Sequence, residues 1–233
     1  MIVLYTAIFG KSDSLKAAPK GPRRCVCFTD DPILAASGFT GEGWEIILSA
    51  DWGATPRAAA RNVKTLSHDL FHDADATVWV DGSIQIKDWP LLMEHCGDAS
   101  VACLAHPDRS NCYDEARLVV RLERANPSKV AEAIDIYRAE GFASTSLSTT
   151  GLMYRRNDPK VAAMNRLWRA NLDRFGVNDQ VHFDYCAWKT GVPVRHLTGH
   201  YRDNPYALYD RLDHHNRRQP QFKPYDRCDH YLA

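Results

Sequence analysis

Short apolar runs alternate with amphipathic segments along most of the chain. The runs Ile2 to Phe9, Arg24 to Thr29, Trp44 to Leu48, Thr77 to Asp81, Ser100 to Ala105, Thr150 to Arg155 and Val192 to Leu197 have the composition of buried strands. The helices between them are announced by their ends. Thr55-Pro56 supplies an N-cap and a first-turn proline, and Ala59, Val63, Leu66 and Leu70 follow at helical spacing. Asn126-Pro127 opens a second helix, with Val130, Ile134 and Tyr137 on one face and Gly141 as its stop. Asp158-Pro159 opens a third, carrying Val161, Leu167, Trp168 and Leu172 as far as Gly176. Asn178 or Asp179 caps a fourth, which presents Val181, Tyr185 and Trp188 and ends at Gly191. Parallel neighbours need long crossovers, so strands separated by helices predict an α/β fold in three layers, α/β/α, around a mostly parallel, mixed sheet. After about Tyr201 the pattern dissolves into a polar stretch rich in Arg, His and Pro. The expected organisation is one domain over residues 1–200 and a C-terminal extension over 201–233, packed on the domain or partly disordered.

Composition narrows the function classes. The 233 residues hold 29 Lys and Arg against 29 Asp and Glu, so the chain lacks the sustained basic field that holds nucleic acid or acidic membrane by bulk charge. No apolar run reaches the length of a membrane span. The opening stretch from Met1 to Gly10 lacks a basic flank and a small-residue cleavage site, and reads as a buried strand rather than a leader. Seven cysteines at irregular spacing fit free thiols in a reducing compartment, and predict a cytoplasmic address.

In open α/β sheets ligands bind outside the carboxyl ends of the strands. That rule selects Thr6, Phe9 and Gly10 after the first strand, Thr29, Asp30 and Asp31 after the second, and Asp81-Gly82-Ser83 after the fourth. Asp30 and Asp31 are equally ordinary turn residues. Asp81 closes an apolar strand and suits a divalent cation or a ribose hydroxyl. Arg57, Arg61 and Lys64 recur at i, i+4 and i+7 on the helix after Thr55, a stripe that could grip a diphosphate and equally an ordinary solvated face. Cys25 and Cys27 share one face of a strand, where thiols behave as small apolar groups. His214, His215, Cys228 and His230 match no common zinc spacing.

Three segments carry a resemblance. They are Ala60 to His68 followed by Asp75 to Ile84, His106 to Ala116, and Gly151 to Asn157 followed by Trp168 and Asn178-Asp179-Gln180. Together they resemble a small glycosyltransferase-like family of bacteria, viruses and plants, whose plant members are linked to turgor regulation and seed mucilage. The resemblance implies a GT-A-type nucleotide-sugar transferase fold, with donor nucleotide over the first strands and an aspartate motif at Asp81. Related enzymes usually carry Asp-x-Asp, whereas this chain has Ser83 at the second acid position. His200 resembles a late histidine that completes a Mn²⁺ or Mg²⁺ site together with Asp81.

The chemistry assigns expected roles. Breaking an anomeric C–O bond drives negative charge onto a nucleoside diphosphate, which cations must meet. Thr29 and Asp30 are expected to face the nucleoside, Arg57, Arg61 and Lys64 the diphosphate, and Asp81 the ribose or cation. Asp179 is the candidate base, with Glu115 and Asp114 behind it, though its position also suits a helix cap. His106, Arg109 and Gln180 are the expected acceptor side. The expected reaction moves a sugar from a nucleotide sugar, a UDP-sugar by preference, to a hydroxyl of a glycan, lipid, small molecule or modified nucleobase. A carboxylate-dependent hydrolase and an inactive nucleotide-sugar binding module are the competing readings.

Overall fold

A computed structural model of the chain describes residues 1–37, 43–49, 51–176 and 178–209. A seven-stranded sheet is built from β1 (Ile2–Ile8), β2 (Arg24–Thr29), β3 (Glu45–Leu48), β4 (Ala76–Val80), β6 (Val101–Ala105), β7 (Ser148–Arg156) and β8 (Val194–His200), in the order β3-β2-β1-β4-β7-β6-β8. A separate two-stranded ribbon pairs β5 (Ile84–Ile86) with β9 (Ala207–Tyr209). All pairings in the large sheet are parallel except those of β7, which runs antiparallel between β4 and β6. The expected mostly parallel, mixed sheet is therefore what forms. The reversal of β7 has a consequence for function: its first residues, Ser148 to Gly151, lie at the same edge as the carboxyl ends of β4 and β6.

Strand alternation divides the core. Along β1, Val3, Tyr5 and Ala7 enter one apolar cluster and Leu4 and Ile8 the other. The first cluster lies under α2 (Pro56–Thr65), α5 (Cys112–Arg121), α6 (Pro127–Ala139), α7 (Pro159–Phe175) and α8 (Asp179–Thr190). The second is covered by α4 (Trp89–Cys96) and the β5–β9 ribbon, with Leu34 of the short α1 (Pro32–Ala36) against it. Both faces are covered, as expected, but the helices crowd onto one. Cys25, Cys27, Cys96, Cys103, Cys112 and Cys186 are free and buried, and burial pushes the Cys27 thiol up to about 12.

Several boundaries differ from expectation. The helix after Thr55 does not run to Leu70. Leu66 leaves helical geometry at φ −95°, ψ 20°, and α3 (Ser67–Leu70) begins afresh. The helices α1, α4 and α5 were not anticipated. Their local signals are the caps Asp31, Asp88 and Asn111, with a first-turn proline in α1 and α4. The first residues of the expected extension, 201–209, pack on the domain. Tyr206 is fully buried, β9 pairs with β5, and backbone N–H groups of Lys87 and Asp88 donate to the Tyr206 carbonyl. The remaining extension, with Arg211, His214, His215, Cys228 and His230, lies outside the described residues.

Gly10 joins the sheet to α2. Its φ of +62° is left-handed, and a Cβ there would come within 2.6 Å of Pro56 Cγ. We expect Gly10→Ala to cost more than about 1 kcal/mol, the penalty of a left-handed residue with a side chain plus the clash, as measured by urea denaturation.

Candidate active site

The site is assembled from β4, α2, β7 and the start of α8. Trp79 of β4 and Asp81, just past its end, stand two residues apart and so project to the same side, the side of α2. Asp81 is fixed at the edge of the sheet by its N–H, which donates to the Gly151 carbonyl of β7 at 2.8 Å. Its Oδ1 accepts from the Trp79 indole N–H at 2.7 Å. On α2, Thr55 caps the helix through the Ala58 N–H and Pro56 opens it, which sets the rotation that turns Arg57, Arg61 and Lys64 toward Asp81. A cavity of about 320 Å³ results, lined by Arg57, Ala60, Arg61, Lys64, Trp79, Asp81, Thr150, Gly151, Asn178, Asp179 and Gln180. The expected sharing of one cleft by the β4 acid and the basic stripe is met.

Lys64 is the centre of this arrangement. Only 4% of the residue is exposed, and its ammonium lies 2.9 Å from Asp179 Oδ2, 3.1 Å from Thr150 Oγ1 and 3.5 Å from Asp81 Oδ1. The rings of Trp79 and Trp168 flank it at 5.6 and 5.9 Å. Arg61 Nε takes the other Asp179 oxygen at 2.7 Å. Burial by itself raises the Asp179 carboxyl, but Lys64, Arg61 and Arg57 outweigh it and hold the group well below the usual carboxylate range. Both oxygens of the candidate base Asp179 are therefore paired with cations, and its proton affinity is low. Asp179 is also not the cap of α8, a position taken by Asn178; it is the acidic residue of the first turn, and its carbonyl accepts from Trp168 Nε1 at 3.1 Å.

A buried arginine supports Lys64 from below. Arg155 on β7 is 1% exposed and donates to the Lys64 carbonyl at 2.7 Å, to Tyr5 Oη, and to Asn165 Oδ1 at 3.0 Å. Tyr5 Oη donates to the same carbonyl at 2.9 Å. These bonds satisfy and charge-complement the last turn of α2.

The acceptor-side residues form a chain that leads into the cleft. Arg109 pairs with Glu115 and its Nη2 lies 2.8 Å from His106 Nε2, while Asn178 Nδ2 donates to the second Glu115 oxygen at 3.0 Å. Burial, reinforced by Arg109, pushes the His106 imidazole down to about 4. Gln180 and Asn178 line the cavity; His106, Arg109 and Glu115 do not. Glu115 is 3% exposed with both oxygens taken by Arg109 and Asn178, and Asp114 is paired with Asn111 and Arg117.

The donor-side residues divide. Thr6, Phe9 and Thr29 are buried, at most 2% exposed, and Thr29 Oγ1 accepts from the Asp31 N–H. Asp30 binds the Gly10 N–H through both oxygens, at 2.8 and 3.1 Å, and so ties the β1 and β2 exits together. A second cavity of about 420 Å³ opens beside them, lined by Ile8, Lys11, Asp13, Ser14, Leu15, Asp31 and Leu34. Gly82 abuts it, since a Cβ on Gly82 would meet Asp13 Cβ at 3.0 Å. Ser83 is buried.

A divalent cation does not fit these donors. Asp81 is one carboxylate whose Oδ1 already accepts an N–H and faces an ammonium, and Ser83 offers no second acid. His200 does not line the cleft; its Nδ1 accepts from the Arg202 N–H, and its ring packs on Tyr201. Among the described residues no three His, Cys, Asp or Glu side chains are grouped as metal ligands. Trp79, Gly151, Arg155 and Trp168 lie in the segments that carry the resemblance but had no expected role, and Thr150 stood only as the first residue of an expected strand.

Removing the Asp179 charge leaves Lys64 buried beside fewer anions, so Asp179→Asn should cost about 3 kcal/mol or more in urea unfolding. Asp81→Asn, at a carboxylate 46% exposed, should cost less than about 1 kcal/mol. Because the folded Asp179 carboxyl is depressed, its contribution is complete above the unfolded carboxylate range near pH 4 and is lost as pH falls further. The acid limb of wild-type stability should therefore be steeper than that of Asp179→Asn.

Comparison with known proteins gives the site a context. The chain is 23% identical over 225 residues to the probable hexosyltransferase MUCI70 of Arabidopsis thaliana, an alignment covering 83% of this chain and 39% of that protein's length. The chain thus spans well under half of that relative. Among solved structures, the WbbM bifunctional glycosyltransferase aligns over 84% of this chain and 38% of its own, at 12% identity and a TM-score of 0.49. Mouse xyloside xylosyltransferase 1 aligns over 84% of both chains at 9% identity and a TM-score of 0.47. The TOD1/MUCI70 glycosyltransferase-like domain model matches residues 1–198, and the chain belongs to that family.

Proposed function

We propose that this protein transfers a glycosyl unit from a nucleotide sugar, by preference a UDP-sugar, to an acceptor hydroxyl. The observation that carries the reading is the cleft in which Asp81, at the carboxyl end of β4, faces Arg57, Arg61 and Lys64. A nucleotide sugar needs both halves of that arrangement: cations for its diphosphate and a carboxylate for hydroxyls. The two cavities flank the Asp81-Gly82 turn, so a donor can lie with its nucleoside over the β1 and β2 exits and its sugar beside Asp81 and Gln180. Family membership supports the same reading, as does the likeness to the probable hexosyltransferase of Arabidopsis thaliana.

In the reaction so inferred, the bond between the anomeric carbon and the phosphate oxygen breaks, and its electron pair leaves with the nucleoside diphosphate. The acceptor oxygen bonds to the anomeric carbon and gives up its proton. With Asp179 and Glu115 committed to their partners, the departing phosphate is the better base, since a terminal phosphate titrates at about 6 and a carboxylate at about 4. The basic stripe stabilises the charge that develops on the leaving group, and Gln180 and Asn178 are placed to orient the acceptor.

The test is a panel of nucleoside diphosphates and nucleotide sugars read by thermal shift, followed by assay of diphosphate release. UDP should raise the melting temperature of the wild type, and Arg61→Met should weaken UDP binding about tenfold through loss of a charge-assisted contact. Turnover of an acceptor-like substrate with no nucleotide present would instead establish a hydrolase.

A further inference from the structure

We propose that the donor is held without a divalent cation: the Lys64 ammonium provides the fixed positive charge beneath the diphosphate, and Asp81 accepts a hydroxyl of the donor instead of binding metal. This rests on the nucleotide-sugar reading above.

The donor atoms at the site carry the argument. A cation bound at the end of β4 needs several oxygen or nitrogen ligands, and the position supplies one carboxylate. Trp79 Nε1 occupies Asp81 Oδ1 at 2.7 Å, and the Lys64 ammonium stands 3.5 Å from the same oxygen. A dication on that oxygen would lie close to a buried ammonium, in surroundings where like charges repel far more strongly than in water. Lys64 cannot swing clear. Asp179 and Thr150 hold it at 2.9 and 3.1 Å, and two tryptophan rings flank it. The positive charge is thus part of the fold, and its longest contact, to Asp81, is the one a phosphate oxygen could displace.

The second Asp81 oxygen fits the hydroxyl role. It faces Gly151, where an added Cβ would come within 3.1 Å of it, so glycine keeps that side open. The Asp81 side chain is 46% exposed, in contrast to 13% for Asp179, leaving an acceptor directed at the cavity beside a fixed cation. An ion-paired carboxylate with one free oxygen is a good acceptor for a sugar hydroxyl and a poor ligand for Mn²⁺.

The experiment is calorimetric titration of the whole chain with UDP and with UDP-glucose, in EDTA and in excess Mn²⁺. The affinities in the two buffers should agree within about threefold, and Lys64→Met should weaken binding about tenfold or more while Lys64→Arg retains most of it. An affinity that rises about tenfold or more with Mn²⁺ overturns the inference while leaving the transferase reading intact. So does stoichiometric Mn²⁺ uptake by the UDP complex, read by electron paramagnetic resonance and lost in Asp81→Asn. The comparison of buffers uses the wild type alone, so it decides the matter even if Lys64→Met fails to fold. Absence of binding in both buffers removes the nucleotide-sugar reading itself, and this inference with it.

Discussion

Lys64 carries a full charge out of water near the end of α2, and much of the site's geometry follows from how that charge is compensated. Burying an ammonium is tolerable only with an anion in contact, which brings Asp179 and the start of α8 to the carboxyl edge of the sheet. Arg61, one turn earlier, takes the remaining Asp179 oxygen, so α2 grips α8 through two cations and one carboxylate. Trp168 closes the assembly by donating to the Asp179 carbonyl from α7. The same contacts that build the helical layer also place a positive charge beside Asp81. Stability and chemistry at this edge are one set of interactions, and the residues that look most catalytic by type, Asp179 and Glu115, are those most fully occupied in holding it.

Beneath that edge lies a second uncommon feature, the buried Arg155. Among the described residues no carboxylate pairs with it; its partners are the Lys64 carbonyl, Tyr5 Oη and Asn165 Oδ1, and burial lowers its proton affinity. A helix C-terminus bears partial negative charge, and Arg155 meets it where α2 ends. The arginine fixes the backbone from which the lysine projects, and Tyr5 links both to the central strand β1. Charge is therefore layered from the core outward: Arg155, the end of α2, Lys64, then the carboxylates of the cleft.

The reversed strand β7 makes this layering possible. Running antiparallel between β4 and β6, it begins where its neighbours end, and so delivers Thr150 to the ammonium and the Gly151 carbonyl to the Asp81 N–H. A parallel strand in that place would have begun at the opposite edge. The β6–β7 pairing shifts register between Cys103 and Leu104, so Leu104 pairs with Thr149, next to Thr150 at the ammonium. The helices α2, α5, α6, α7 and α8 crowd onto one face, while α4 and the β5–β9 ribbon cover the other.

What was legible in the sequence is what local physics dictates. Apolar runs and capped, proline-opened helices located the large elements, because strand burial and helix initiation leave marks within a few residues. The stripe of Arg57, Arg61 and Lys64 and the acid closing the fourth strand were readable for the same reason, each lying within one element. Residues bound by long-range contact were not. Asp179 and Lys64 are 115 positions apart, and nothing near either one announces that the carboxylate will be neutralised. The direction of β7, the commitment of Glu115 to Arg109 and Asn178, and the burial of Thr6, Phe9 and Thr29 likewise depend on which elements become neighbours. Sequence by itself determined the kinds of groups at the sheet's carboxyl edge, since spacing sets which side chains share a face. Only the tertiary structure decided which of those groups are free, because a charge's chemistry is set by the partner that burial forces upon it.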